Sequence, residues 1–221
     1  STNTRVVLWA TLIINTVAFL LIWFLEANNP ATLGNMSVSD QALAAWFQAV
    51  TPRTAGFNTL DIAAMTNGSL ALILMLMFIG GGSLSTASGL KVGTFVVLMM
   101  STYAFLRQRQ DVTVLRRTIP PIQIMKALSL TIISMLFIFL GIFILGMTEK
   151  ANFLSIVFEV FSAIGTVGLS LGLTGQLSEE GRMVVIFLMI AGRLGPLTLV
   201  YLVARPQKSH IRYADVSLQI G

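Results

Sequence analysis

The sequence has no cysteine, a single histidine and few charged residues. Only 10% of its 221 residues are Asp, Glu, Lys or Arg, whereas soluble domains contain roughly a quarter. The lack of cysteine excludes disulfides and thiolate metal sites. His210 lies alone in a polar tail, Glu159 has no paired carboxylate, and no nucleophile has a base near it in sequence, so no enzyme active site is predicted. With 55% hydrophobic residues, the chain is predicted to be an integral membrane protein.

The basic residues are confined to short segments. Nine of the fourteen Lys and Arg lie between or beyond the hydrophobic runs, which is typical of cytoplasmic loops in membrane proteins. No basic face with interleaved aromatics occurs, so a nucleic-acid partner is not predicted. The opposite side would carry more acids than bases and attract cations. Its charged residues are predicted to form a solvated rim, namely Glu26, Asp40, Asp61, Glu149, Glu159, Glu179, Glu180, Arg53, Lys150 and Arg182.

One unit occurs twice along the chain, at a constant offset of 112 residues. The offset aligns Trp46 with Phe158, Thr54 with Thr166, Gly56 with Gly168, and Gly80 with Gly192. A repeat of this kind defines the fold before any single element does. The predicted organisation is a first repeat with a broken inner helix at 1–105, a basic cytoplasmic linker at 106–123, a second repeat at 124–204, and a cytoplasmic C-terminal tail at 205–221.

Each repeat is predicted to contain an outer helix, a short helix, a loop and an inner helix. The outer helices, at 6–25 and 124–145, are long enough to cross about 30 Å of hydrocarbon. The short helices, at 41–50 and 152–162, can only dip into the membrane and return. The inner helices are predicted at 67–79 continuing at 92–106, and at 183–203. The fold class is therefore an all-α membrane protein with two parallel helix–pore-loop–helix repeats.

The loops that follow the two short helices are the candidate ion-binding segments. Non-helical backbone at membrane depth survives only where protein buries it or where it lines a wet cavity. Carbonyl oxygens in such a loop can replace the hydration shell of K⁺, and glycine permits the required dihedral angles. Either loop alone is a weak match, but the duplication strengthens it. The predicted selectivity filter comprises Thr54, Ala55, Gly56, Phe57, Asn58, Thr166, Val167, Gly168, Leu169 and Ser170.

The inner segment of the first repeat contains a run of small and hydroxylated residues, Gly80 to Lys91. A broken helix with an intramembrane loop is predicted, and a small-residue patch for close helix packing is the alternative. A Walker phosphate loop is excluded, because Gly89 is followed by Leu90 and no strand precedes it. Arg193, in the last helix, would cost at least roughly 2.5 kcal/mol in lipid, so it should face protein or water. Its predicted hydrogen-bond acceptors are the carbonyls and hydroxyls of the broken loop, and a purely structural tether is the alternative.

These features together resemble the Ktr/Trk/HKT superfamily of potassium uptake proteins, in particular the bacterial KtrB type. The resemblance implies four repeats with pseudo-fourfold symmetry around one pore, of which this chain would supply the third and fourth. It implies that K⁺ is bound by the backbone carbonyls of Thr54, Ala55, Gly56, Thr166, Val167 and Gly168. It also implies a gate below the filter, formed by Gly80, Gly81, Gly82, Ser83, Ser85, Thr86, Ser88, Gly89, Lys91 and Arg193.

Further expectations follow from the resemblance. They are location in the cell membrane in contact with lipid, a homodimer, a cytoplasmic nucleotide-binding ring of RCK subunits, and transport of K⁺ promoted by Na⁺ without an organic cofactor in this chain. A sodium-coupled secondary symporter with broken helices is the alternative function. The parallel orientation of the two repeats favours the channel-like protein.

Overall fold

The computed structural model describes residues 2–82, 88–109, 111–115 and 117–195. Within these residues the chain forms seven α-helices and one small hairpin. The helices are α1 (Thr2–Glu26), α2 (Val38–Val50), α3 (Asn67–Phe78), α4 (Val92–Leu106), α5 (Pro121–Thr148), α6 (Phe153–Ile164) and α7 (Glu179–Leu194), with 3₁₀ turns at Ile62–Ala64 and Thr174–Gln176.

The outer helices α1 and α5 are long and apolar enough to cross a membrane. They contain 25 and 28 residues, which corresponds to about 37 and 42 Å of helix. Both helices expose large hydrophobic side chains, such as Phe24 and Phe139. An apolar surface of this extent suits lipid rather than water.

The short helices begin at side-chain caps; α2 ends at the predicted residue 50, and α6 ends two residues beyond the predicted 162. The Ser37 hydroxyl accepts a hydrogen bond from the Asp40 amide at the start of α2, and the Asn152 side chain does the same for Leu154 in α6. Such caps satisfy amides that have no partner within the helix. Helix α2 ends two residues before Pro52, which disfavours helix at the residue preceding it. The predicted fold class is confirmed.

The two inner helices differ. Helix α3 ends at Phe78 and α4 begins only at Val92, and the described residues between them, 79–82 and 88–91, are not helical. The broken helix with an intramembrane loop stays a prediction. Helix α7 continues as helix through Gly192 to Leu194. Residues 196–203, predicted to complete this helix, lie outside the described part of the chain, as does the predicted tail at 205–221.

The linker between the repeats contains a hairpin that the sequence analysis did not predict. Strand β1 (Thr113–Val114) pairs antiparallel with β2 (Arg117–Thr118), with Thr113 opposite Thr118. The two repeats also share one hydrophobic core, because Phe158, Val167 and Leu169 of the second repeat pack in the same cluster as residues of α1, α2 and α3. The second filter loop is therefore held by the first repeat as well as by its own.

Candidate pore loop site

The first candidate filter loop is closed by bonds to the end of α2. The amides of Ala55 and Gly56 both donate to the Thr51 carbonyl, each at 3.2 Å, and the Thr51 hydroxyl donates to the Phe57 carbonyl. Thr54 has a φ of 66° and Gly56 a φ of 73°. A threonine in the left-handed region is uncommon, and such strain persists only where the surrounding structure imposes it.

The second loop repeats this geometry with different partners. Thr166 and Gly168 have φ values of 47° and 95°, so both aligned pairs share the left-handed conformation. The Val167 amide donates to the Ser162 carbonyl at 2.9 Å, and the Gly168 amide to the Ser162 hydroxyl at 3.1 Å. The amides of both loops are thus used within their own repeats.

The two loops lie side by side. A Cβ atom on Gly56 would lie 2.0 Å from the Val167 carbonyl oxygen and 3.4 Å from the Gly168 Cα. The Thr54 hydroxyl is 3.3 Å from the carbonyl oxygen of Gly165, to which it donates. Close approach of this kind requires glycine, because any side chain at position 56 would displace a carbonyl of the neighbouring loop.

Six carbonyl oxygens of the candidate filter accept no hydrogen bond from any described residue. This holds for Thr54, Ala55 and Gly56 and for the aligned Thr166, Val167 and Gly168. Five of these six residues are partly or fully exposed, so a ligand can reach this part of the two loops. A cavity of about 310 Å³ lies against both loops, with Gly56, Asn58, Gly168 and Ser170 among its lining residues.

The segment predicted as a gate begins beneath the second loop. The Met77 carbonyl oxygen would lie 3.1 Å from a Cβ on Gly165, so the end of α3 touches the base of that loop. The chain is then pinned where it leaves and re-enters helix, since Gly80 N–H donates to Leu90 O at 2.8 Å and Leu90 N–H to Phe78 O at 3.0 Å.

Glycines make the ends of this loop possible. A Cβ on Gly80 would lie 1.8 Å from the Ser88 carbonyl oxygen, and Gly89 has a φ of 75°. Of the other predicted gate residues, Gly81, Gly82, Ser88 and Lys91 lie in this pinned region, and Val92 N–H donates to Gly81 O at 3.1 Å. The remaining predicted gate residues of the loop, Ser83, Ser85 and Thr86, lie outside the described part of the chain.

Arg193 lies at the end of α7, near the same loop. Its guanidinium is close enough to the Lys91 ammonium for the two cations to repel each other. The preceding Gly192 packs backbone to backbone on the end of α6, because a Cβ there would lie 2.0 Å from the Ile164 carbonyl oxygen. The structure therefore places Arg193 near the end of α6 and near the end of the predicted gate loop at Lys91.

A model of the TrkH family, described as cation transport protein, matches residues 2–213. The chain belongs to the TrkH family. It is 49% identical over 221 residues to Ktr system potassium uptake protein B of Bacillus subtilis, covering 100% of this chain and 50% of that protein. It is 42% identical to the protein of the same name from Vibrio alginolyticus, covering 99% of this chain and 48% of that protein. The crystal structure of the potassium transporter TrkH from Vibrio parahaemolyticus matches with a TM-score of 0.75 and 25% identity, over 89% of this chain and 43% of that one.

The TrkH family assignment confirms the predicted resemblance and agrees with the prediction that the chain is not an enzyme. The chain spans about half the length of the curated relatives it matches. A membrane location is supported in two ways: the relatives are transport proteins, and the outer helices are long and apolar enough to cross a membrane.

Two predicted rim acids of this TrkH family chain are not solvated. Glu26 is 0% exposed and Glu159 is 5% exposed, so the predicted rim role is wrong for both. Donors from distant segments surround each carboxylate: the hydroxyls of Ser170 and Thr174 donate to Glu159, directly behind the second filter loop.

Glu26 accepts five hydrogen bonds at the end of α1. Its Oε2 accepts from the side chains of Asn29 at 2.7 Å and Thr32 at 2.6 Å. Its Oε1 accepts from the Thr66 amide at 2.9 Å, the Thr66 hydroxyl at 2.8 Å and the Ser69 hydroxyl at 2.5 Å. Thr66 caps the start of α3, so the outer and inner helices of the first repeat are joined through this carboxylate.

The second repeat has a related contact. Glu149, which follows α5, accepts from the Ser178 amide at 3.1 Å and from the Ser178 hydroxyl, and Ser178 caps α7. Sequence reasoning missed both contacts. A signal was present, because Thr66 and Ser178 are aligned by the repeat and each outer helix is closed by a glutamate.

Proposed function

We propose that the protein to which this chain belongs takes up K⁺ across the cell membrane through a filter of backbone carbonyl oxygens. The observation that carries the proposal is the pair of adjacent loops with matching left-handed Thr and Gly residues and carbonyl oxygens that accept no bond from described residues. A K⁺ ion must replace its hydration shell to pass a narrow pore, and carbonyl dipoles can supply that replacement.

The use of the loop amides supports the same proposal. Because the N–H groups of Ala55, Gly56, Val167 and Gly168 donate back into their own repeats, the opposite side of each peptide is left for a cation. Two relatives are named potassium uptake proteins. A third, NtpJ of Enterococcus hirae, 34% identical to the chain, is named a potassium/sodium uptake protein, which supports a role for Na⁺ as activator or as second ion.

We also propose that the loop from Gly80 to Lys91 is the gate and that Arg193 holds it. The loop starts where the end of α3 touches the base of the second filter loop at Gly165, so an ion leaving the filter would meet it. At its re-entry end the positive charge of Arg193 acts on that of Lys91. Two cations beside the ion path would oppose passage of K⁺ until the loop moves.

An exposed aromatic side chain in the first filter loop supports the proposal that further repeats of the same polypeptide surround the pore. Leu169 is buried against the first repeat, whereas the aligned Phe57 is 71% exposed. A preceding repeat of the same polypeptide would cover Phe57 as the first repeat covers Leu169, giving four repeats around one pore. A homodimer on a cytoplasmic RCK-type nucleotide-binding ring, in contact with membrane lipid, completes the proposed assembly.

The test is Gly56→Ala in the full-length protein, expressed in a host that lacks its own potassium uptake. The new Cβ would meet the Val167 carbonyl oxygen at 2.0 Å, so we expect a higher KM for K⁺ and weaker discrimination against Na⁺. Gly146→Ala, at an exposed position of α5, is the control, because nothing lies within 4 Å of a Cβ there. Wild-type affinity and selectivity in Gly56→Ala would contradict the filter.

A further inference from the structure

We propose that Glu26 is a positioning residue for transport, which fixes the exit of the first filter loop and the start of α3 relative to the outer helix. The inference deepens the proposed function and rests on it. Glu26 is completely buried and joins three segments, because its donors come from the loop after α1, from the cap of α3 and from its first turn.

The position of this acid is unfavourable for α1 taken alone. A carboxylate at the C-terminus of a helix faces the negative end of the helix dipole, while the N-terminus of another helix attracts it. Glu26 ends α1 and contacts the N-terminal cap of α3 through Thr66. Its placement therefore serves the junction between the two helices.

The bonding pattern requires an ionised carboxylate. All five partners of Glu26 are N–H or O–H donors, and a buried charge is tolerated only when it is fully hydrogen-bonded. An amide of the same shape would direct its NH₂ group at two or three of these donors. Glu26→Gln therefore changes the junction without changing the volume of the side chain.

The segment between the filter and α3 is held by the same group of residues. The Asn29 side chain, which donates to Glu26, also donates to the Ala64 carbonyl at 3.0 Å. Asp61 caps the 3₁₀ turn through the Ala63 amide, and Leu60 and Met65 are buried in the shared core. The chain that leaves the filter at Asn58 is thus anchored before it enters α3.

Helix α3 connects this junction to the far side of the filter. It has 12 residues, or about 18 Å of helix, and its end at Met77 touches Gly165 at the base of the second loop. A shift at Thr66 therefore displaces both the exit of the first loop and the support of the second. Because these displacements move the carbonyl groups that would bind the ion, they should change the affinity for K⁺ in the protein that does fold and insert.

The experiment measures K⁺ uptake by the full-length protein in proteoliposomes, normalised to the inserted protein, for Glu26→Gln and Glu26→Asp. For Glu26→Gln we expect the KM for K⁺ to rise by roughly tenfold or more, the scale of a small misplacement of binding groups, with weaker K⁺ over Na⁺ selectivity. Glu26→Asp keeps the charge and should fall between wild type and Glu26→Gln. Asp111→Asn, at an exposed position of the linker between the repeats, is the control for the loss of an acidic side chain and should behave as wild type.

A purely structural role predicts a different result, in which less protein inserts but its KM and selectivity are those of wild type. That result overturns the inference. If Glu26→Gln does not insert at all, Ser69→Ala removes a single donor to the carboxylate and should raise the KM by a smaller factor; an unchanged KM there overturns the inference as well. Gly56→Ala distinguishes failure of the proposed function from failure of the positioning role. Wild-type KM and selectivity in Gly56→Ala would contradict the proposed function. A changed KM in Gly56→Ala together with a wild-type KM in Glu26→Gln would contradict the positioning role alone.

Discussion

In both repeats a glutamate joins the outer helix to the start of the inner helix, but the first repeat uses more hydrogen bonds to do so than the second. In both, a glutamate at the end of the outer helix accepts hydrogen bonds from the capping residue of the inner helix. Glu26 takes five donors in a buried site, whereas Glu149, at a partly exposed site, accepts from Ser178 alone among the described residues. The inner helices differ in the same direction, because α3 stops at Phe78 and α7 continues past the aligned position. The repeat with the shorter inner helix has the stronger anchor.

The difference in hydrogen bonding follows from how much side-chain packing holds each inner helix in place. Helix α7 packs along its length on α5 and α6, so its position is determined by side-chain contacts. Helix α3 has only 12 residues before the loop begins, and a short helix gains less from packing. Strong hydrogen bonds at its first turn compensate for the missing length.

The largest predicted effect compares the aligned aromatic residues of the two short helices. Phe158 is 0% exposed and Trp46 is 42% exposed, and Phe158→Ala should cost about 3–5 kcal/mol of stability. In the full-length protein we expect Trp46→Ala to cost a similar amount, because a preceding repeat would bury it. Thermal unfolding in detergent measures both. A much smaller cost for Trp46→Ala would contradict the proposed four-repeat packing.

The next comparison uses the aligned glycines of the inner helices. Gly192→Ala would press a Cβ on the Ile164 carbonyl oxygen, a backbone atom that cannot move aside, and should cost about 3 kcal/mol. Gly80→Ala meets the Ser88 carbonyl oxygen, also a backbone atom, at 1.8 Å, so we expect a similar loss of stability and, in addition, a changed K⁺ flux per inserted protein. Gly141→Ala, which meets only side-chain atoms of Leu188 and Val160, is the control for added volume. An unchanged K⁺ flux per inserted Gly80→Ala protein would contradict the proposed gate.

The helical elements could be predicted from the sequence to within a few residues. Hydrophobic length, the capping residues and Pro52 act locally, so helices such as α3 and α4 end where their own residues dictate. The adjacency of Gly56 and Gly168 also followed from the repeat, because equivalent loops of a symmetric fold meet at its axis.

The buried carboxylates could not be predicted in the same way. Glu26 and its donor Ser69 are 43 residues apart, and a glutamate beside a polar loop is ordinarily solvated. Nothing local distinguishes Glu26 or Glu159 from the exposed Glu179. The aligned caps Thr66 and Ser178 were the only signal, and it identifies the helix starts rather than the acids that bind them.

A third prediction compares those two caps. Thr66→Ala removes the side-chain N-cap of α3 and the hydrogen bond from the Thr66 hydroxyl to the buried Glu26. The two losses together should cost about 2 kcal/mol of stability. Ser178→Ala removes the N-cap of α7 and a bond to the partly exposed Glu149, and should cost about 1 kcal/mol. Thr66→Ser and Ser178→Thr keep both functions and serve as controls in thermal unfolding. A larger loss in Ser178→Ala than in Thr66→Ala would reverse the ranking of the two anchors.

The smallest predicted effect is the pH dependence of the weaker anchor. The hydrogen bond from the Ser178 hydroxyl lowers the pKa of Glu149 below its usual range, so the folded protein binds a proton at this site less readily than the unfolded chain does. The stabilisation is therefore complete above the ordinary glutamate pKa of about 4.3, and it is lost as the pH falls through the lower pKa of the folded state. We expect the difference in Tm between wild type and Glu149→Gln to be constant from pH 7 to 5 and to shrink below about pH 4. A difference that stays constant down to pH 3 would show that Glu149 does not act through its charge, and the two repeats would then differ in kind rather than in strength.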